Sequence, residues 1–173
     1  RQLEAIRAKY SNDDIEINIV GFAKLGGDVI EGLTTVIGFF VIAFVITALM
    51  LWLYSRSWRL TLVALAVALL PVVWLLGLLP LLGLGIDPMS ILVPFLIFSI
   101  GVSHAVQMTN AWKQDVLAGS DSVSAARAAF CKIFIPGSLA LLMNALGFAV
   151  IMLIDIPIVH ELGVTACIGV MLM

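Results

Sequence analysis

The chain has 173 residues, of which 62% are hydrophobic and 12% are charged. Soluble domains have about 45–50% apolar and about 25% charged residues, and small ones bury only about 70% of the surface of the unfolded chain. These values exclude an ordinary soluble enzyme and a disordered protein. The net charge of −2 also excludes a nucleic-acid-binding protein, because it offers no attraction to a polyphosphate.

Half of the charged side chains lie in the first 31 residues. Residues 1–10 have an apolar helical stripe, and residues 15–19 alternate apolar and polar side chains with the period of a strand. We therefore predict that residues 1–27 are the C-terminal piece of an α+β domain outside the membrane. Asp28 and Glu31 have the spacing of a capping box, which predicts that a helix begins there.

Four long uncharged runs cover 32–55, 60–86, 88–112 and 133–154. Each is long enough to cross about 30 Å of hydrocarbon, which takes roughly 20 helical residues. A last run of 12 residues follows Glu161 and spans about 18 Å, so we expect a helix that is truncated at the end of the chain. The sequence thus predicts an all-α integral membrane protein with five helices, at 29–54, 59–83, 89–113, 121–154 with a kink near Pro136, and 157–173.

The loops differ in their basic residues. Two loops, 55–59 and 113–132, carry all the loop Lys and Arg side chains, whereas 84–88 and 155–161 carry only acidic ones. Basic loops remain in the cytoplasm. The first two loops are therefore expected to be cytoplasmic, with residues 1–27 on the opposite side.

The third span has a polar stripe formed by Ser99, Ser103, Gln107 and Asn110. At 100° per residue these side chains fall within about 80° of arc. Polar groups inside a membrane often mark an ion or substrate path, but they also link helices by hydrogen bonds. For Ser99 and Asn110 the structural role is the favoured interpretation.

His104 lies at the edge of this stripe and is the one titratable side chain, apart from Cys and Tyr, in the four uncharged runs. A histidine can change its charge near neutral pH, so His104, supported by Ser103, is the main candidate for a proton-responsive site. The alternative is a neutral histidine bonded to a backbone carbonyl.

The fourth span has a narrow face of small residues with one amide, comprising Gly137, Ala140, Asn144 and Gly147. Small residues let helices approach closely. We predict that this face packs on the third span, opposite Ser103 and Gln107. Asn144 is either a structural hydrogen-bonding group or a partner of the proton-relay candidates.

Enzymatic signatures are missing from the sequence. The glycine pairs lack the Lys-Ser/Thr of a phosphate-binding loop, and Cys131 and Cys167 form no metal-binding or redox motif. We expect no enzymatic activity, no cofactor and no metal.

Four segments carry a resemblance to a known family: INIVGFAKLGGDVIEGL at 17–33, SIGVSHAVQ at 99–107, PGSLALLMNALGF at 136–148 and IPIVHELGVTACIG at 156–169. Through them the chain resembles the resistance-nodulation-division (RND) superfamily, in particular its MMPL and hopanoid-exporter branch. It is also similar to the sterol-sensing domain of Patched-type proteins. The resemblance implies helices two to six of one six-helix half, with residues 28–173 as the membrane domain and 1–27 as the end of a periplasmic, porter-like domain.

The resemblance also implies a function, namely proton-driven export of a hydrophobic or lipid-like substrate across a bacterial inner membrane. The implied partners are membrane lipids, the substrate, protons and the remainder of the same transporter chain; a homo-oligomer is left open, and nucleic acid is not expected. The alternative is a lipid- or sterol-sensing module without transport, or a structural brace for an active second half.

One departure from the family concerns the residues that are expected to relay protons. The family usually has an Asp in a G-x-D-Tyr pair where this chain has Ser103 and His104. Either His104 takes the relay role, or the other half carries it, or this half only binds lipid.

Overall fold

A computed structural model describes residues 6, 9–10, 21–85 and 90–173. Regular structure in the long described stretches is helical throughout. The elements in chain order are α1 (Phe22–Ser55), α2 (Trp58–Leu81), a 3₁₀ turn (Ser90–Leu92), α3 (Val93–Leu117), α4 (Ser122–Ile151) and α5 (Pro157–Met171).

The four uncharged runs form the four long helices. α1 to α4 are each long and apolar enough to cross a membrane, while α5 is a shorter apolar helix of 15 residues. The all-helical, integral membrane character predicted from the sequence is therefore confirmed. Pro71 and Pro80 lie inside α2 and Pro136 inside α4, and each of these helices is continuous through its prolines. The kink near Pro136 stays a prediction.

The start of α1 corrects two predictions. The helix begins at Phe22, so Asp28 lies in its interior and not at its N-cap. Lys24 Nζ contacts Asp28 Oδ1 at 2.8 Å, one helical turn earlier, and this ion pair takes the carboxylate that was expected to cap the helix. The α+β remnant at 1–27 is not supported either, because residues 22–27 are helical. Its predicted strand at 15–19 lies outside the described residues.

The turns between helices follow local signals. Gly119 has φ +96° just after α3 ends, a conformation that L side chains rarely adopt. Asp121, the first residue of the predicted range 121–154, caps α4, because its Oδ2 accepts a hydrogen bond from the Val123 N–H. Trp112 Nε1 donates to the Ser122 carbonyl at 3.1 Å and closes the same loop.

Two compact units make up the chain, residues 1–39 and residues 40–173. In the first unit, Thr34 Oγ1 and Thr35 Oγ1 donate to the carbonyl of Glu31, at 2.8 Å and 3.0 Å. These local bonds satisfy the two hydroxyls within an exposed stretch of α1.

The second unit has its core where α2, α3 and α5 meet. Ala68, Leu75 and Ile97 are fully buried there, with Ala166 and Val170 of α5 against them. α2 and α3 form the most extensive helix pair, and α4 packs on both α3 and α5. The part of α1 that belongs to this unit contacts α3 through aromatic rings, with Phe40 and Phe95 centroids 4.9 Å apart.

Candidate functional site

A cavity of about 510 Å³ lies between α2, α3 and α4 in the second unit. Its walls are almost wholly apolar, and the polar side chains on them are His104 and Ser138. Phe130 and Phe134 line it and are each more than half exposed, so the cavity reaches the surface of the bundle beside α4. The lining residues are Val67, Pro71, Gly101, His104, Ala105, Met108, Phe130, Ile133, Phe134, Gly137, Ser138, Leu141 and Met173.

The cavity is at hydrocarbon depth. His104 precedes the end of α3 by 13 residues and Ser138 follows the start of α4 by 16. At 1.5 Å per residue these side chains lie about 20 Å and about 24 Å along their helices from the same end of the bundle. The two polar groups are therefore at a similar level, and both lie inside the uncharged runs that are long enough to cross the bilayer.

His104 is held by its own helix. Its Nδ1 is 3.0 Å from the Ile100 carbonyl oxygen. A carbonyl only accepts, so Nδ1 carries the proton in this bond, and in the neutral ring Nε2 is then an acceptor. This is the histidine-to-carbonyl bond that the sequence left as the alternative for His104. It fixes the ring but leaves one nitrogen unused.

Gly137 lies against that ring. A Cβ placed on Gly137 would lie 3.6 Å from His104 Cδ2 and 3.9 Å from Nε2. The side of the imidazole that carries Nε2 thus faces the glycine of α4 and the cavity. The predicted packing of the third span on the fourth is confirmed, since α3 and α4 are in contact.

The predicted register of that contact is wrong, however. Ser99, Ser103 and Gln107 are exposed at the surface of the bundle, and Asn110 is half-buried. The buried face of α3 contains Ile97, Gly101 and Ala105, and His104 lies at its edge. With 100° per residue, the polar stripe points well away from that face, so His104 rather than Gln107 meets α4.

On α4, Gly137 is buried as predicted, but Ala140, Asn144 and Gly147 are exposed. The contact instead follows a row of side chains four residues apart: Ala125, Ala129, Ile133, Gly137, Leu141 and Ala145. Helices pack along rows of residues four apart, and such a row winds slowly around the helix axis. The residues of the predicted face are spaced by three, four and three, so they leave this row after Gly137. Asn144 and His104 are therefore not brought together as relay partners.

Sequence reasoning missed two features of the cavity and one contact between α4 and α5. Phe130 and Phe134 stack at 5.3 Å between ring centroids, and their i, i+4 spacing was the available signal. Ser138 lies directly after the predicted glycine of α4. The thiol of Cys167 donates to the Ala145 carbonyl at 3.2 Å and joins α5 to α4.

A second cavity, of about 580 Å³, lies at the other end of the bundle beside the link between α4 and α5. Asp155, His160 and Glu161 are among its lining residues. In the long described stretches, no three His, Cys, Asp or Glu side chains are placed to hold a metal ion.

Comparison with family models identifies a matching family. The family model described as "Sterol-sensing domain of SREBP cleavage-activation" matches residues 52–173, about 70% of the chain and the whole of the described part from the end of α1 onward. No curated protein and no solved structure matches the chain.

Proposed function

The chain belongs to the sterol-sensing domain family, and from this premise we propose that it binds an uncharged membrane lipid, such as a sterol, in the cavity between α2, α3 and α4. The observation that carries the proposal is the composition of the cavity wall. An apolar surface with two polar groups at hydrocarbon depth suits a ligand that is apolar apart from one small polar group.

The size of the cavity agrees with such a ligand. Small-molecule sites have volumes of about 300–1,000 Å³, and burial of apolar surface supplies most of their affinity at roughly 25 cal/mol per Å². A lipid already dissolved in the bilayer gains less from this term, so specificity must come from shape and from His104 and Ser138. Phosphate and carboxylate head groups are disfavoured, because none of the residues lining the cavity is cationic.

A photoreactive cholesterol probe tests the proposal in the full-length protein in lipid nanodiscs. We expect saturable labelling of the α4 peptide around residues 130–141, competed by unlabelled cholesterol. Gly137→Leu fills the space beside His104 and should lower labelling at least about fivefold, the effect of about 1 kcal/mol.

Gly147→Leu is the matched control, because it adds the same side chain to the same helix where nothing lies within 4 Å of a Cβ. This variant should label like the wild type. Equal labelling of the wild type and Gly137→Leu would contradict the proposal.

The exposed stripe of α3 supports a second candidate function, that of one half of an RND-type exporter of the MMPL and hopanoid-exporter kind. Ser99, Ser103 and Gln107 lie on the surface of the bundle at positions inside an uncharged run. Polar groups facing lipid are costly, so a further membrane element is expected to cover them. The second half of the same transporter chain is one such element, and a homo-oligomer is another.

In that candidate the protein lies in a bacterial inner membrane, with residues 1–27 periplasmic and protons driving export of a lipid-like substrate. Ser103 stands in place of the usual relay carboxylate, which leaves His104 as the titratable group of this half or assigns the relay to the other half. Efflux from proteoliposomes with an imposed proton gradient tests transport. Lipid binding without gradient-dependent efflux would contradict transport and favour the alternatives, a sensing module or a structural brace.

A further inference from the structure

One face of α3 is polar and open to the surroundings along most of the helix. Its side chains fall within about 80° of arc at 100° per residue. They are Leu96, Ser99, Ser103, Gln107, Asn110 and Gln114, of which Asn110 is half-buried and the others are exposed. All but Leu96 are polar, and the polar ones from Ser99 to Asn110 lie inside an uncharged run that is long enough to cross the membrane.

These polar groups have no partner within the structure. In the described part of the chain, the side chains of Ser99, Ser103 and Gln107 make no hydrogen bond. The same holds for Asn110 and Gln114. Hydrocarbon offers no hydrogen-bonding group, so a hydroxyl or amide that faces lipid is left unsatisfied at a cost in free energy. A continuous row of such groups therefore requires a polar partner inside the membrane.

The chemistry of the row selects the partner. Each polar group on it is neutral and both donates and accepts hydrogen bonds, because serine supplies a hydroxyl and asparagine and glutamine supply an amide. Two copies of one membrane protein insert in the same orientation, so a two-fold axis along the membrane normal places each residue of α3 opposite its counterpart. A group that faces its own copy has to donate and accept at once. Hydroxyls and amides can do so, whereas carboxylates and ammonium groups repel their copies.

The charged and titratable side chains of α3 point away from this face. Relative to Ser103, His104 is turned by about 100°, Lys113 by about 80° and Asp115 by about 120°. Ser99 and Ser103 are small and lie on successive turns, which lets a second helix approach closely. We propose that α3 pairs with α3 of a second copy of this protein, with Ser99, Ser103 and Gln107 forming hydrogen bonds across the two-fold axis.

The pairing face and the lipid cavity are on different sides of α3. The cavity is lined by Gly101, Ala105 and Met108, which are each turned by about 140° or more from Ser103. Failure of the pairing therefore leaves the proposed lipid binding untouched. A second copy and a second half of the same transporter chain would need the same face, so the pairing is an alternative to the cover by a second half.

Disulfide cross-linking of the full-length protein in its native membrane tests the pairing. In a variant whose other cysteines are replaced, Ser103→Cys gives each chain one thiol, so a disulfide can form only between two copies. We expect a covalent dimer after addition of copper phenanthroline, and the same result for Ser99→Cys. Ala140→Cys is the matched control, because it places a thiol at an exposed small residue of α4 and should remain monomeric.

A second measurement addresses the hydrogen bonds. Gln107→Leu keeps the bulk of the side chain and removes its amide. Energy transfer between labelled copies, measured while proteoliposomes are diluted with lipid, gives the dissociation constant of the dimer. We expect an increase of at least about threefold, the effect of one average hydrogen bond between membrane helices. Asn144→Leu removes an exposed amide from α4 instead and should keep the wild-type constant.

Two results would overturn the pairing. If thiols at positions 99 and 103 give no more dimer than the thiol at position 140, another segment of the chain or lipid covers this face and no second copy does. If Gln107→Leu leaves the dissociation constant at the wild-type value, no hydrogen bond of Gln107 holds the two helices together.

Discussion

A Cβ atom on Gly101 of α3 would lie 3.1 Å from Cα and 3.2 Å from the carbonyl oxygen of Ala68 on α2. The two helices thus meet backbone to backbone, which small residues permit and larger ones prevent. Ala68 is fully buried and has no flexible side chain to yield. This contact sets the spacing of the helix pair that forms two walls of the cavity.

Gly101→Leu should therefore push α2 and α3 apart. Overpacking of a core costs about 1–3 kcal/mol, and here backbone must move. We expect a lower melting temperature of the purified protein in detergent. Gly77→Leu on α2 is the control, because nothing lies within 4 Å of its Cβ position, and it should melt close to the wild type. An equal decrease of the melting temperature in both variants would contradict the close approach of α2 and α3.

Gly169 of α5 provides a second packing test. A Cβ there would lie 2.7 Å from Cδ1 and Cγ1 of Ile97, a side chain that is fully buried. We expect Gly169→Ala to lower the free energy of unfolding by about 1–3 kcal/mol. Ile97→Val alone should cost about 0.5–1.5 kcal/mol by the loss of a methyl group.

The double variant should lose less than the sum of the two single variants, since Ile97→Val removes one of the two clashing atoms. A double-mutant cycle in a reversible denaturation assay measures this coupling. Strictly additive losses would show that Gly169 and Ile97 do not interfere.

Arg56 has φ +54°, the left-handed region, in the short link between α1 and α2. That conformation costs an L residue roughly 1–2 kcal/mol, and glycine adopts it freely. Arg56→Gly should therefore keep or raise the melting temperature. Arg59→Gly removes the same charge inside the first turn of α2, where glycine costs about 1 kcal/mol, and should lower it. The reverse order of the two melting temperatures would contradict the left-handed link.

The helix connections predict which loops share a side of the membrane. In a variant with Cys131 and Cys167 replaced, single cysteines at Ser57 and Ala118 should react with an impermeant thiol reagent from one side. A cysteine at Asp155 should react from the other side. Because basic loops usually remain in the cytoplasm, we expect the first two positions to react from the cytoplasmic side. Reaction of positions 57 and 118 from the opposite side only would reverse the proposed orientation, and labelling of all three from one side would contradict four crossings.

The sequence by itself determined the membrane spans. Burying a charge in hydrocarbon is costly, so whether a stretch of about 20 residues can cross the membrane depends on the residues of that stretch alone. The start of the fourth helix near residue 121 was also predicted, and the structure shows that it is decided locally, by the Asp121 side chain and the next turn of backbone. Asp28 shows where local signals fail: its capping pattern is present, but the helix already begins at Phe22. His104 was identified because an imidazole is rare in such a span.

The tertiary structure decided which faces meet. Helical periodicity groups side chains on an arc but does not say toward which neighbour the arc points. The close approach of Gly101 to Ala68 turns α3 so that His104, and not Gln107, meets Gly137. Packing along i±4 rows then leaves Asn144 exposed. The cavity belongs to three helices at once, so no single segment encodes it: Gly101 lets α2 and α3 approach closely, and Gly137 of α4 lies against the ring of His104.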